Sequence, residues 1–224
     1  MRKRFKGSRV QGIAINDADY QTTVYVKYTR LSDRKECLAV YRQCPYYRKW
    51  HSLVDRCCSA RIKKLQPSYK DCTLQLNWLL FSSFKTWMET QDWQGKELDK
   101  DLLVRGNKHY GETTCVFVDK RLNTFLVQTE NDNANGLPKG VSWYPKYGKY
   151  LAQCRDPFSN RRGFIKYCDT IVEARVAWLE RKHEYALKYA EMQTDERLKQ
   201  ALRTRFADDL EKAKVILEME KSNS

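Results

Sequence analysis

Apolar residues recur along this chain at two different periods, and the changes of period mark out its elements. Residues 22–28 alternate β-branched and aromatic side chains with polar ones at period two, which predicts a strand. From residue 44 to 88 the apolar positions fall at helical intervals instead: Tyr47, Trp50, Leu53 and Val54, then Leu76, Trp78, Leu79 and Leu80, then Phe81, Phe84, Trp87 and Met88. Residues 66–71 interrupt this series with polar residues and a proline, so they read as a connecting loop. The aromatics are expected in a core rather than as base-stacking surface, with Arg56, Arg61, Lys63 and Lys64 outside it.

Residues 97–105 lead through the turn Gly106-Asn107 to an apolar strand at 115–118, and residues 119–127 resume as a short helix. Residues 130–140 are nearly devoid of apolar side chains and punctuated by Gly and Pro, which sets a domain boundary there. Short strands follow at 141–144 and 150–154, around a turn at 145–149, and a third at 162–168. Val172, Val176, Leu179 and His183 give a helix from 171 to about 192, whose mixed charges Glu180, Arg181 and Lys182 read as a solvated face or a packing arm rather than a DNA reader. The tail at 194–221, rich in Leu, Lys, Glu, Arg and Ala, predicts one more helix that frays at 222–224. The fold class is α+β: a mixed N-terminal region leads into a strand-turn-strand-helix unit, then a three-stranded antiparallel sheet with a packed helix, then a helical tail. The domains are 1–130, a linker at 131–140, 141–192, and the tail 193–224. No internal repeat is visible.

At 224 residues the chain can bury one good core or two small ones. Forty-two Lys and Arg against 28 Asp and Glu give a net charge of +14, so a polyanion, nucleic acid first, is the expected partner. The first dozen residues are basic and contain glycine, so they read as a flexible arm that either lies on phosphates or is simply solvated. No apolar run reaches the roughly 18 residues of a membrane span, and the N-terminus leads into polar sequence rather than a signal core, which points to a cytosolic protein with no membrane partner. The eight cysteines include no Cys-x-x-Cys and are expected as buried free thiols. A zinc site from Cys44, Cys57 or Cys58, and Cys72, with His51 as a fourth ligand, matches none of the common spacings.

The densest candidate chemistry lies at 98–123. Asp99, Asp101, Asn107 and Asn123 supply two carboxylates and two amides in an order suited to holding one divalent ion against a phosphate, and Lys100 stands beside the first carboxylate. Taken alone, Asp99 and Asp101 also fit solvated carboxylates at a strand end. Leu98-Asp99-Lys100-Asp101, Asn107, Thr114-Cys115 and Asn123 together resemble the HNH, or ββα-metal, endonuclease motif of phage proteins and intron-associated homing endonucleases. Upstream, Cys44-Pro45-Tyr46-Tyr47, Trp50, Arg56-Cys57, Pro67, Tyr69, Trp78, Phe81 and Phe84 are similar to the helical segment that precedes it in such proteins, so the resemblance spans residues 10–127. It implies that Asp99 is the first metal ligand and Asn123 the helix ligand, with Asn107 or Thr114 near the loop asparagine. One Mg²⁺ or Mn²⁺ would assist attack of water on a phosphodiester.

Lys100 occupies the position of the family's general-base histidine. A lysine is protonated at neutral pH and makes a poor base unless burial lowers its pKa. Three outcomes follow: Asp101 or His109 serves as the base, the metal-bound water reacts unaided, or the fold persists as a DNA-binding scaffold without cleavage.

Gly140-Val141-Ser142-Trp143, Gly148-Lys149-Tyr150, Ala152, Glu173-Ala174 and Ala177-Trp178 resemble the Apetala-type DNA-binding domain over residues 139–190. That resemblance implies a sheet laid in the major groove of double-stranded DNA, with Trp143, Lys146, Lys149, Tyr150, Arg155, Arg161, Arg162 and Lys166 as candidate contacts. Strand alternation turns some of these inward, and packing under the helix is the competing role for Trp143 and Tyr150. The combined expectation is a phage-type DNA-binding endonuclease acting as a monomer in the cytoplasm of a bacterial host, without a small-molecule cofactor. The alternative is a catalytically degenerate relative that acts as a DNA-binding regulator or host-interaction protein. An RNA-binding or ribosome-associated protein is a third reading.

Overall fold

The computed structural model describes residues 7–126, 135–159 and 161–222, the side chain of Arg162 excepted. Half of the basic arm (residues 1–6), the expected end of the short helix at residue 127, and residues 128–134 lie outside the described residues; the other half of the arm is not flexible but holds a strand, Ser8–Val10, that buries Val10. The fold is α+β and divides into two compact units, one holding the residues up to Asp101 with Gly106–Phe117, the other Leu102–Arg105 with Val118 onward.

In the first unit, β1 (Ser8–Val10) and β2 (Ala14–Asn16) form a small hairpin, and β3 (Thr23–Thr29) pairs antiparallel with β4 (Glu36–Gln43). Then come α1 (Pro45–Cys58), α2 (Ala60–Leu65), β5 (Thr73–Leu74) and α3 (Phe81–Glu89). Proline opens α1, where its missing N–H costs no helical bond, and Ser59 Oγ accepts from the Ile62 amide to start α2. Asp17 caps α3 from outside, accepting from the Ser82 amide at 2.8 Å and its hydroxyl at 2.5 Å. β6 (Glu97–Asp99) pairs with β8 (Val116–Val118), and β7 (His109–Tyr110) runs parallel to β5.

The expected aromatic core is present. Trp50, Leu53, Val54, Trp78, Phe81, Phe84, Trp87 and Met88 are all buried. Trp50 Nε1 donates to the Trp78 carbonyl at 2.7 Å, which meets the polar need of one buried indole with a backbone group of the next element. Two members of the helical series leave it. Residues 76–79 form a 3-10 turn at three residues per turn, so burying Trp78 turns Leu76 outward, 81% exposed, and leaves Leu80 exposed as well. Arg56 is half-buried rather than external, its guanidinium 5.4 Å from the Tyr69 ring centroid.

The second unit contains α4 (Lys120–Leu126) and a sheet of β9 (Val141–Tyr144), β10 (Lys149–Arg155) and β11 (Arg162–Cys168) in the order β11-β10-β9, antiparallel throughout. The long helix α5 (Ile171–Glu191) packs on one face of this sheet. Its start is fixed by a capping box in which Thr170 Oγ1 accepts from the Glu173 amide and the Glu173 carboxylate accepts from the Thr170 amide. Val141, Ala152, Cys168, Ala174 and Ala177 form the small-residue layer beneath it, which lets helix and sheet approach closely. Gly140 has φ +83°, and a β-carbon there would stand 1.9 Å from Trp178 Cδ1.

The tail departs from the single helix expected. It breaks at Arg205-Phe206 into α6 (Glu196–Thr204) and α7 (Ala207–Ser222). Leu198, Leu202, Phe206 and Leu210 are buried at intervals of four, and each such step drifts about 40° around a straight helix. The break resets that drift and lets Phe206 reach full burial. Arg105 binds Asp209 of α7 through two bonds, 3.1 and 2.7 Å, and so anchors the segment Leu102–Arg105 in this unit.

Of the two roles expected for the charged stretch of α5, Lys182 takes the packing one. It is 7% exposed, and its Nζ donates to the Phe125 carbonyl at 2.5 Å. The ammonium stands 3.6 Å from the Phe125 ring centroid, 5.0 Å from that of Phe206 and 5.6 Å from that of Trp178. Phe125 also meets Tyr185 and Tyr189, so α4 packs with α5 in the second unit. Burial lowers the Lys182 pKa to about 7, with Cys154 opposing the shift and Lys139 and Arg205 adding to it.

The folded value lies below the unfolded one of about 10.4, so between these limits the unfolded chain binds more protons and stability rises with pH; below about 7 the cost of charging Lys182 is fully present. Urea melts of the intact chain from pH 6 to 9 should show this rise, and Lys182→Met should flatten it; equal slopes in both would contradict the assignment. Gly140→Ala combines a disfavoured φ with a steric clash and should cost at least about 2 kcal/mol, read as a lower melting temperature of the second unit.

Candidate functional site

Asp99 ends β6, and its Oδ1 accepts the amide of Asp101 at 2.9 Å. This Asx turn bends the chain sharply after the strand, so only residues 97–99 of the expected 97–105 segment are extended. The bend carries Lys100 inward to 9% exposure, where its Nζ lies 3.3 Å from Asp101 Oδ2 and 6.0 Å from the Tyr110 ring centroid. Tyr110 is itself buried and bonded by Arg56; burial raises its pKa more than the Arg56 guanidinium lowers it. Beneath this group lies Cys115, fully buried, whose thiol desolvation pushes up to about 12, so it stays protonated and is no nucleophile.

Asn107 closes the loop. Its Nδ2 donates to the carbonyls of Lys100 (2.7 Å) and His109 (2.6 Å), while its Oδ1 accepts the His109 amide at 3.0 Å. Gly106, at φ +76°, makes the turn that lets the side chain fold back, and Thr114 Oγ1 adds a 2.8 Å bond to the same His109 carbonyl. The parallel pairing of β5 and β7 sets Thr73 against His109, with Oγ1 and Nδ1 2.9 Å apart. The first unit thus gathers Asp99, Lys100, Asp101, Asn107, His109 and Thr114 around one backbone clasp, and His109 is exposed there. Lys49 of α1, which carries no sequence signal, donates to the Lys96 carbonyl just before β6 at 2.6 Å, and burial lowers its pKa against the pull of Glu97.

Asn123 lies in the second unit, on α4, with its amide bonded to the Asp119 carbonyl as an ordinary helical residue. The two expected metal ligands therefore belong to different units. A carboxylate and an amide oxygen are hard donors suited to Mg²⁺ or Mn²⁺, but the first unit supplies only part of such a set. Among the described residues no group of three or more His, Cys, Asp or Glu stands together to hold a metal. So partial a donor set supports no hydrolytic step through an ion. Nor do Cys44, Cys57, Cys58, Cys72 and His51 gather as such a group among the described residues.

The sheet of the second unit has two unlike faces. Trp143 pairs with Tyr150 and Val141 with Ala152, so by alternation Trp143 and Tyr150 share the face covered by α5, at its rim, their rings edge to face at 5.0 Å. The opposite face carries Tyr144, Lys149, Leu151, Gln153, Arg155, Phe164 and Tyr167. Arg155, Arg161 and Lys166 are exposed, and Lys146 stands 5.5 Å over the Tyr147 ring in the connecting turn. Lys149 is paired with Asp169 at 2.7 Å, and the side chain of Arg162 is not among those described. Tyr144, Tyr147, Phe164 and Tyr167 carry no motif; the sequence places Tyr144, Phe164 and Tyr167 in strands and Tyr147 in the connecting turn, but their gathering on one side depends on the register.

No family model, curated protein or solved structure matches the chain. No helix among the described residues is long and apolar enough to cross a membrane.

Asn107→Ala removes three hydrogen bonds and should cost about 1–3 kcal/mol, with faster amide exchange confined to the loop from Lys100 to His109. Asn107→Asp, which keeps the bond to the His109 amide, should fall between the two.

Proposed function

We propose that this protein binds double-stranded DNA, with the three-stranded sheet of its second unit and the exposed arginines Arg155, which ends β10, and Arg161, which precedes β11, meeting the phosphates. The observation that carries this reading is the presence of four exposed cations, Lys146, Arg155, Arg161 and Lys166, on one small sheet domain in a chain of net charge +14. The order of motifs supports it too, since an HNH-like loop precedes an Apetala-like sheet.

For the first unit we favour the scaffold reading, in which an HNH-derived loop is kept without cleavage. Lys100 stands in place of the family's histidine, and its buried Nζ donates to Asp101 Oδ2 at 3.3 Å, so that position offers a hydrogen-bond donor engaged with its neighbour rather than an imidazole facing a water. One observation favours the nuclease reading instead: the Asn107 clasp sets the backbone of His109, an exposed imidazole, beside that of Lys100. In that reading His109 is the base, Asp99 is the metal-binding carboxylate of the first unit, and the chain is a phage-type endonuclease dependent on Mg²⁺ or Mn²⁺.

Binding to a short duplex should weaken steeply with salt, and Arg155→Ala with Arg161→Ala should lower the slope of log affinity against log salt by about 1–2. A duplex affinity independent of salt would remove the DNA-binding reading. Supercoiled plasmid incubated with Mg²⁺ or Mn²⁺ should stay intact. Nicking that disappears in Asp99→Ala and falls about 10²- to 10⁴-fold in His109→Ala would establish the nuclease reading over the scaffold. Lys100→His tests whether only the base was lost, by a gain of nicking.

A further inference from the structure

We infer that the sheet face turned away from α5 is a stacking platform for the unpaired bases of single-stranded DNA. The inference rests on the DNA-binding reading above and adds to it a ligand that a closed duplex cannot offer. Four aromatic rings meet on that side. Tyr144 of β9 lies 5.3 Å from Tyr147 of the turn and 5.3 Å from Tyr167 of β11, measured between ring centroids. Tyr147 and Tyr167 are 4.9 Å apart, and Phe164 stands 5.1 Å from Tyr167. Tyr144 and Tyr167 therefore meet across the central strand, and Leu151, opposite Tyr167 in the register, floors the cluster.

These rings are not the core of the unit. The core lies on the other face, where Val141, Ala152 and Cys168 pack under α5. Phe164 is 59% exposed and Tyr147 52%, an uncommon use of large apolar side chains on a sheet that already has a covered face. An open sheet with several ring faces in contact offers π-surfaces to flat ligands, and stacking on such rings contributes about 1–3 kcal/mol per base.

Charge selects which flat ligand. From residue 141 to 168 the chain has six basic residues and one acidic one. That single carboxylate, Asp156, is turned into its own loop, accepting from the Phe158 amide and from both the amide and hydroxyl of Ser159. Arg155 shares the aromatic face, and Lys146 sits beside Tyr147 at its edge. A face of rings rimmed by cations suits a strand that presents bases and phosphates together. A closed duplex hides its base faces in the stack and exposes only their edges. The ligand class is thus DNA with unpaired bases.

The test compares oligo(dT) with a blunt duplex, using the full chain and fluorescence anisotropy at one salt concentration. Wild type should bind both. Tyr144→Ala and Tyr167→Ala should each weaken oligo(dT) binding at least about fivefold and leave duplex binding within about twofold, whereas Tyr144→Phe and Tyr167→Phe, which keep the ring, should retain it. Should the alanine variants lose their fold, Phe164→Gln at the most exposed ring carries the same comparison. Equal loss for both probes, no loss for either, or wild-type binding to the duplex alone would overturn the inference and leave the DNA-binding reading standing. Binding to neither probe would remove both.

Discussion

A buried ammonium must be surrounded by oxygen atoms or ring faces, and the way this chain meets that constraint at Lys182 organises its second unit. Nζ binds the Phe125 carbonyl, and the rings of Phe125, Phe206 and Trp178 close around it. Those partners come from α4, α5 and the break between α6 and α7, so one cation links three parts of the sequence. Leaving it unsolvated without them would cost far more than any single apolar contact returns. The first unit repeats the solution on a smaller scale. Lys49 donates to a carbonyl beside the Phe117 ring, and Lys100 lies between a carboxylate and the Tyr110 ring. A chain with 42 Lys and Arg and 28 aromatic residues can bury apolar surface because some of its cations go in with the rings.

The loop from Asp99 to His109 shows how few groups hold the candidate chemistry. Asn107 alone spans Lys100 and His109, and the Asx turn of Asp99 gives Lys100 its inward course. The amide that resembles the loop asparagine of HNH nucleases thus has a mechanical task that stands whether or not the loop cleaves anything. Lys100 turns inward to Asp101 and the Tyr110 ring, while His109 keeps an exposed ring bonded to Thr73. Chemistry and scaffold are separable here because the clasp uses mainly backbone partners.

On the sheet, alternation assigns each strand residue to one of two faces, and the faces differ in kind. Small residues under α5 let the helix come close, and the same need for closeness demands glycine at 140 beneath the Trp178 ring. The other face has no helix to fill, so its large rings meet one another and remain open to solvent. Trp143 and Tyr150, which motif similarity marks as contacts, belong to the covered face at its rim. Tyr144 and Tyr167, which no motif marks, belong to the open one.

Much of this was legible in the residues themselves. The helical spacing of Trp50, Phe81, Phe84 and Trp87, the strands around Pro145 to Gly148 and the start of α5 at Thr170 follow from local rules of period, turn and cap, which need no distant partner. Of the two N-terminal hairpins only β3 has a local signal; β1 lies in the stretch expected as an arm, and β2 and β4 lack a clean alternation. The tail break at Phe206, the burial of Lys182 and the turning out of Leu76 had no local signal, since each depends on which element lies opposite. The sequence by itself determined the elements, the basic charge and the loop residues that stand near one another in the chain. Only the tertiary structure decided which lysines are buried, which sheet face is covered, and which rings gather, because burial and register are set by pairing between residues far apart in sequence.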